Sequence, residues 1–134
     1  GNIYLNDKKI CGILCERLSN SNYTVIGVGI NTSKAKNIPN EIKDIYGAIN
    51  DKVSYKYNAK LISEIIKEIY SLKSKDFYNA YKENSLVLGK EITVIKENES
   101  FKATAIDIEK DFSLKVKKEN ELIYLNSGEI SIKL

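Results

Sequence analysis

The chain has no histidine, methionine or tryptophan, one proline, two cysteines and one arginine, Arg17. Without histidine it lacks the commonest general base and the commonest metal ligand. On one strand, Cys11 and Cys15 would face the same side about 13 Å apart, too far for a disulfide. Two thiols with no histidine do not close a zinc site, so no structural metal is expected. Both cysteines read as small buried hydrophobes in a reducing cytoplasm. No apolar run approaches the roughly 18 residues that span a bilayer. The opening Gly-Asn-Ile-Tyr has none of the basic and apolar regions of a signal peptide. Net charge is only +3, and no dense basic stripe appears of the kind nucleic-acid binding needs. The three aromatics after residue 86, Phe101, Phe112 and Tyr124, are too few for a base-stacking platform.

What is present is the composition of a soluble globular protein: 43% apolar and 29% charged. Ile3–Leu5 and Lys8–Glu16 read as strands joined by an Asn6-Asp7 turn. Tyr23–Asn31 is a third strand, apolar enough to suggest burial on both faces. Thr32–Asn40 is a polar loop ending at the one proline, and Glu41–Ile49 suggests a short helix. Asn58–Leu72 carries Leu61, Ile62, Ile65, Ile66, Ile69 and Leu72 on one helical stripe, and Asp76–Asn84 reads as a second helix. At Leu88-Gly89 the period changes from 3.6 to 2. Strands are then expected at Glu91–Lys96, Phe101–Ile108, Ser113–Lys118, Leu122–Leu125 and Ile130–Leu134. Five short strands in under fifty residues suggest a small barrel, SH3-like or OB-like. The domain boundary is placed near residue 86.

Three segments bear on chemistry. In Lys8-Lys9-Ile10-Cys11-Gly12-Ile13-Leu14, a cation precedes an apolar strand with one glycine. In Ile26-Gly27-Val28-Gly29-Ile30-Asn31, two glycines at i and i+2 weaken the strand and need a cause. Both leave the same face bare, which admits a flat ligand; a close helix contact or a bulge would also account for them. No helix follows and the third glycine is absent, so this is not a dinucleotide fingerprint. The tail Ser127-Gly128-Glu129-Ile130-Ser131-Ile132-Lys133 reads locally as a turn and a final strand.

Taken in order, these segments resemble the biotin protein ligase family. The matches are Ile3-Tyr4-Leu5, Lys9 through Glu16, Gly27 through Asn31, and Gly128 through Lys133. The resemblance suits the biotin branch better than the lipoate ligases. It implies an α+β fold: a partial mixed or antiparallel sheet with packed helices, class II synthetase-like, over residues 1–85, then an SH3-like barrel over 86–134. It also implies ATP, with Mg2+, and biotin as substrates and a biotin carboxyl carrier protein as partner. By position, Lys9 would be catalytic, contacting the biotin carboxylate and the α-phosphate. Gly12, Ile13, Gly27 and Gly29 would line the biotin cavity. Asn2, Asn31 and Lys133 would face the nucleotide, Asn31 by hydrogen bonding adenine with both its donor and its acceptor.

The chain departs from the family at several points. Asn2 stands where the family has an acidic residue, Lys133 where it has arginine, and Ala105-Ile106-Asp107 where it has glycines. The family's Gly-Arg-rich adenylate loop has no counterpart among these residues. The resemblance therefore implies a ligase fragment that is inactive alone. The alternative is a non-catalytic module that recognises a carrier domain or mediates dimerisation through an exposed sheet edge.

Overall fold

Asn6 and Asp7 both take positive φ, 50° and 61°, as a two-residue type I′ hairpin turn requires. The turn joins β1 (Asn2–Leu5) to β2 (Lys8–Arg17), and β3 (Thr24–Ile30) pairs on the other side of β2. The computed structural model describes residues 1–126 and 131–133, the last three as backbone. It divides into two units, Gly1–Ile69 and Tyr70–Leu134.

In the first unit the β2–β3 register runs without interruption from Cys11 opposite Ile30 to Arg17 opposite Thr24. The β1–β2 ladder does not. Ile3 faces Cys11 and Tyr4 faces Lys9, so Ile10 is an extra residue, a bulge. After β3 the expected helix over Glu41–Ile49 does not form. A single 3-10 turn covers Asn40–Ile42, and the chain then extends, with isolated parallel bridges from Tyr46 to Lys9 and from Asn50 to Ser33. Backbone pairing to β2 captures this segment before a helix can continue.

Helix α1 runs Tyr55–Ser71. It begins three residues before the expected start because the Ser54 hydroxyl accepts the Tyr57 amide, 3.1 Å away, as an N-cap. Its apolar stripe forms as expected, but the helix buries no residue, and Ile62 stays 59% exposed. Two further expectations of burial fail in this unit. Val25, Ile26 and Val28 of β3 are exposed rather than buried on both faces. Cys15 is exposed too, while Cys11 is buried.

The second unit carries the core. Strands β4 (Glu91–Ile95), β5 (Ser100–Ile108), β6 (Leu114–Lys118), β7 (Glu121–Leu125) and β8 (Ser131–Lys133) form an antiparallel sheet in the order β7-β6-β5-β4-β8. Alternate residues point inward: Ile92 and Val94, then Ala103 and Ala105, then Leu114 and Val116. Each fully buried Val or Ile contributes about 1.5–3 kcal/mol of transfer free energy. Among the described residues β7 and β8 do not pair, so the sheet is open rather than a closed barrel. Ile106 is a bulge between Ala105 and Asp107.

Helix α2 (Tyr78–Glu83) belongs to this unit. The Tyr78 hydroxyl donates to the Ile108 carbonyl, Lys82 pairs with Asp107, and the Phe77 ring stacks on Phe112 with centroids 5.3 Å apart. The overall class is α+β, with two largely antiparallel sheets and few helices. No helix among the described residues is long and apolar enough to cross a membrane.

Candidate functional site

Alternation and register bring the three strand glycines of the first unit to one face. Gly12 lies directly opposite Gly29, and Gly27 opposite Leu14. Directly opposed residues share a face, as do residues two apart on a strand. Gly12, Gly27 and Gly29 therefore form a bare patch, edged by the exposed Leu14 side chain.

None of the three glycines is demanded by the chain's own packing. A Cβ on Gly27 would come no nearer than 3.9 Å to another atom, and one on Gly29 no nearer than 4.0 Å. On Gly12 the nearest approach would be 3.7 Å, to Lys9 Cε. These are ordinary van der Waals distances. None of the three has a positive φ; among the described glycines Gly89 does, at 79°. No bulge interrupts β2–β3, and among the described residues nothing approaches the three positions closely enough to require glycine.

The space above Gly12 is where the polar groups gather. A Cβ there would lie 3.8 Å from the Lys9 Nζ and 4.0 Å from the Asn2 Oδ1. Simple alternation puts Lys9 and Gly12 on opposite faces. The bulge at Ile10 breaks that alternation and lets the ammonium reach the glycine face. Asn2 arrives by its pairing with Gly12 across β1–β2. Below the sheet, burial pushes the Cys11 thiol up, against the pull of the Lys9 ammonium and the N-terminal amine.

Asn31 lies two residues past Gly29, but its side chain is engaged within the protein. Its Nδ2 donates to the Gly47 carbonyl at 2.9 Å and more weakly to the Lys9 carbonyl at 3.4 Å. Both partners are acceptors, so the amide nitrogen has to face them, and the Oδ1 remains for a ligand. The amide expected to use both its donor and its acceptor on a ligand thus has its nitrogen engaged within the protein. Ile13 stands opposite Val28 and alternates away from the Gly12 face. Lys133 pairs with Thr93 through its backbone in the other unit; its side chain, like Gly128–Ile130 of the tail motif, lies outside the described residues.

The structure thus gathers Lys9, Gly12, Gly27, Gly29 and Asn2 at one face and sets Asn31 at its end. It adds residues that the sequence did not single out. Ile45, Tyr46 and Gly47 bond to the backbone of Lys9 or to the loop beside it. The stretch after Pro39 has no periodicity, and nothing in it signals that it extends along β2.

Comparison with known proteins bears on both units. Residues 87–133 match the family model described as the biotin protein ligase C terminal domain. That match lies within the second unit. The whole chain is also similar to solved biotin protein ligases from Aquifex aeolicus. One crystal structure shares 25% identity and a TM-score of 0.80, covering 98% of this chain and 61% of that one. The apo structure shares 23% identity at a TM-score of 0.79, covering 98% and 62%. The structure in complex with biotin and ATP shares 23% at 0.78, covering 98% and 59%. The chain thus spans about three fifths of the length of these solved ligases. Among curated proteins no match is found.

Proposed function

We propose that the glycine patch of the first unit is the biotin and adenylate side of a biotin protein ligase site. In that reaction a biotin carboxylate oxygen attacks the α-phosphorus of ATP and pyrophosphate leaves. A lysine of the carrier protein then attacks the acyl carbon, and AMP leaves. One observation carries the reading: three glycines share one face with no close neighbour that requires glycine, and one of them, Gly12, borders the Lys9 ammonium. A fused ring system lies flat on such a surface, and its carboxylate then meets a fixed cation. Lys9 would offset charge on the five-coordinate phosphorus and on the departing AMP.

Gly27, Gly29 and Asn31 are spaced two residues apart, so this track is about 13 Å long. That length suits a biotinyl group followed by an adenosine. The free Oδ1 of Asn31 accepts a hydrogen bond from the exocyclic amine of adenine, which an oxygen at that ring position would not supply. The complex of a similar ligase with biotin and ATP supports this choice of ligands. Ile13 would support the biotin strand from its far face. Asn2 and Lys133 remain assigned to the nucleotide, Lys133 in an SH3-like domain beginning near residue 86, which the match over 87–133 supports.

Magnesium fits poorly. The polar side-chain groups nearest Gly12 are an ammonium, Lys9 Nζ, and a neutral amide oxygen, Asn2 Oδ1, whereas nucleotide magnesium is held by carboxylates and phosphates. No step is assigned to the ion here.

Calorimetric titration with biotin, a non-hydrolysable biotinyl-adenylate analogue and a biotin carrier domain tests the reading. The analogue is expected to bind, and Lys9→Gln to weaken it by about 30-fold or more, the worth of a charge-assisted hydrogen bond. Binding of the carrier alone would favour a non-catalytic recognition module. Biotin and ATP are expected to yield no pyrophosphate with these 134 residues by themselves; release above background would overturn that.

A further inference from the structure

Residues 45–50 have no role so far, yet their bonds converge on Lys9 and Asn31, the two polar residues at one end of the glycine track. The Lys9 amide donates to the Ile45 carbonyl at 2.7 Å, and the Gly47 amide donates to the Lys9 carbonyl at 2.9 Å. One residue is thus gripped through both of its backbone groups. The Gly47 carbonyl accepts from the Asn31 side chain, and the Ile49 amide donates to the Asn31 carbonyl at 2.9 Å. The same short segment therefore holds Lys9 and Asn31 at once.

Two further contacts anchor it. The Tyr46 hydroxyl accepts the Ala35 amide at 2.9 Å and reaches the Ser33 carbonyl at 3.3 Å. Gly47 is seated flush on β2: a Cβ there would lie 2.5 Å from Lys8 Cβ and 3.3 Å from Ile10 Cγ2. This is the opposite of the track glycines, where a Cβ meets only ordinary distances. Gly47 is glycine for the protein's own sake.

We propose that Ile45–Asn50 is a positioning brace that sets the separation of Lys9 and Asn31, with Gly47 and Tyr46 as its positioning residues. The inference rests on the assignment of the track to biotinyl-adenylate, but its mechanical part stands apart from it. Lys9 sits beside a bulge on a strand where Cys11 is the one buried residue, so its place is weakly specified by packing. Backbone bonds on both sides of the residue supply the specification that a core would otherwise give.

The test is amide hydrogen exchange on the full chain carrying Gly47→Ala or Tyr46→Phe, with binding of the biotinyl-adenylate analogue measured alongside. Val94 and Val116 amides in the other unit report global integrity. Gly47→Ala is expected to speed exchange at Lys9, Gly47 and Ile49 by about tenfold or more while the Val94 and Val116 amides hold. It is also expected to weaken the analogue by about tenfold. Unchanged exchange at Lys9 overturns the brace; so does faster exchange with parental affinity. If Gly47→Ala unfolds the first unit, Tyr46→Phe decides: joint acceleration at Ala35, Lys9 and Gly47 supports the brace, and a rise confined to Ala35 overturns it. If the parent chain does not bind the analogue, the assignment of the track fails, while the exchange pattern still decides the brace.

Discussion

The two units use alternating strands for different ends. In Tyr70–Leu134 the period-2 pattern closes over a core: Ile92, Val94, Ala105 and Val116 are at most 1% exposed. In Gly1–Ile69 the one buried apolar residue is Cys11, and Leu14, Val25, Ile26 and Val28 all remain exposed. The first unit is held mainly by backbone ladders, the second by side-chain burial. A ligand that lies on backbone needs strands left bare, and a bare strand contributes little to a core. On the function proposed above, the unit poor in burial is the one that offers glycine backbone to a flat molecule.

The sharpest way to break this contrast is to remove equal volumes from each unit. Ile92→Ala is expected to destabilise the second unit by about 2–5 kcal/mol, the usual range for a buried large-to-small change. Ile26→Ala, on an exposed strand, should cost about 0.5 kcal/mol or less. Denaturant unfolding followed by unit-specific amide exchange separates the two. A cost at Ile26 matching that at Ile92 would mean that the first unit has a core the exposed strands do not show.

A smaller effect on stability, but a decisive one on binding, is expected at Gly29. Gly29→Val meets no close neighbour, since a Cβ there is 4.0 Å from the Gly12 carbonyl oxygen, and valine suits a strand better than glycine. The unit should fold at least as well, while the biotinyl-adenylate analogue weakens by about 100-fold because its ring system loses its seat. Parental affinity in Gly29→Val would remove the track from the site.

Much of this was legible in the sequence because it depends on local pattern. The Asn6-Asp7 turn, the strands around it and the α1 stripe follow from turn chemistry and periodicity. So does the alternation that fills the second unit's core. The Lys9–Gly12 encounter was legible as motif only. Its geometry depends on a bulge at Ile10, and an extra residue in a ladder leaves no trace in a pattern of apolar residues. Most of the brace falls in Glu41–Ile49, which suggests a helix by composition; its backbone partners at Asn31, Thr32 and Lys9 are distant in sequence. The burial of β3 and Cys15 was overestimated because an apolar run shows what a strand would tolerate, not what covers it. Asn31 was read for its chemistry toward a ligand, whereas its donors are occupied by two carbonyls that only the fold brings near.

The smallest effect concerns how α2 is held in the second unit. The Lys82 ammonium beside Asp107 holds that carboxyl below its ordinary range, with help from the Ile108 amide. Asp107 in turn raises Lys82. The lowered carboxylate contributes stability that is present above the ordinary aspartate pKa and lost as pH falls through the lowered value. The raised ammonium contributes stability that is present below the ordinary lysine pKa and lost as pH rises through the raised one. Between those limits the pair adds a flat increment, kept small by solvent because both side chains are more than a third exposed. Asp107→Asn should therefore lower Tm slightly at neutral pH and match the parent in strong acid, where the parent's carboxyl is protonated too. A difference that persists undiminished in acid would show that the ion pair is not what Asp107 supplies.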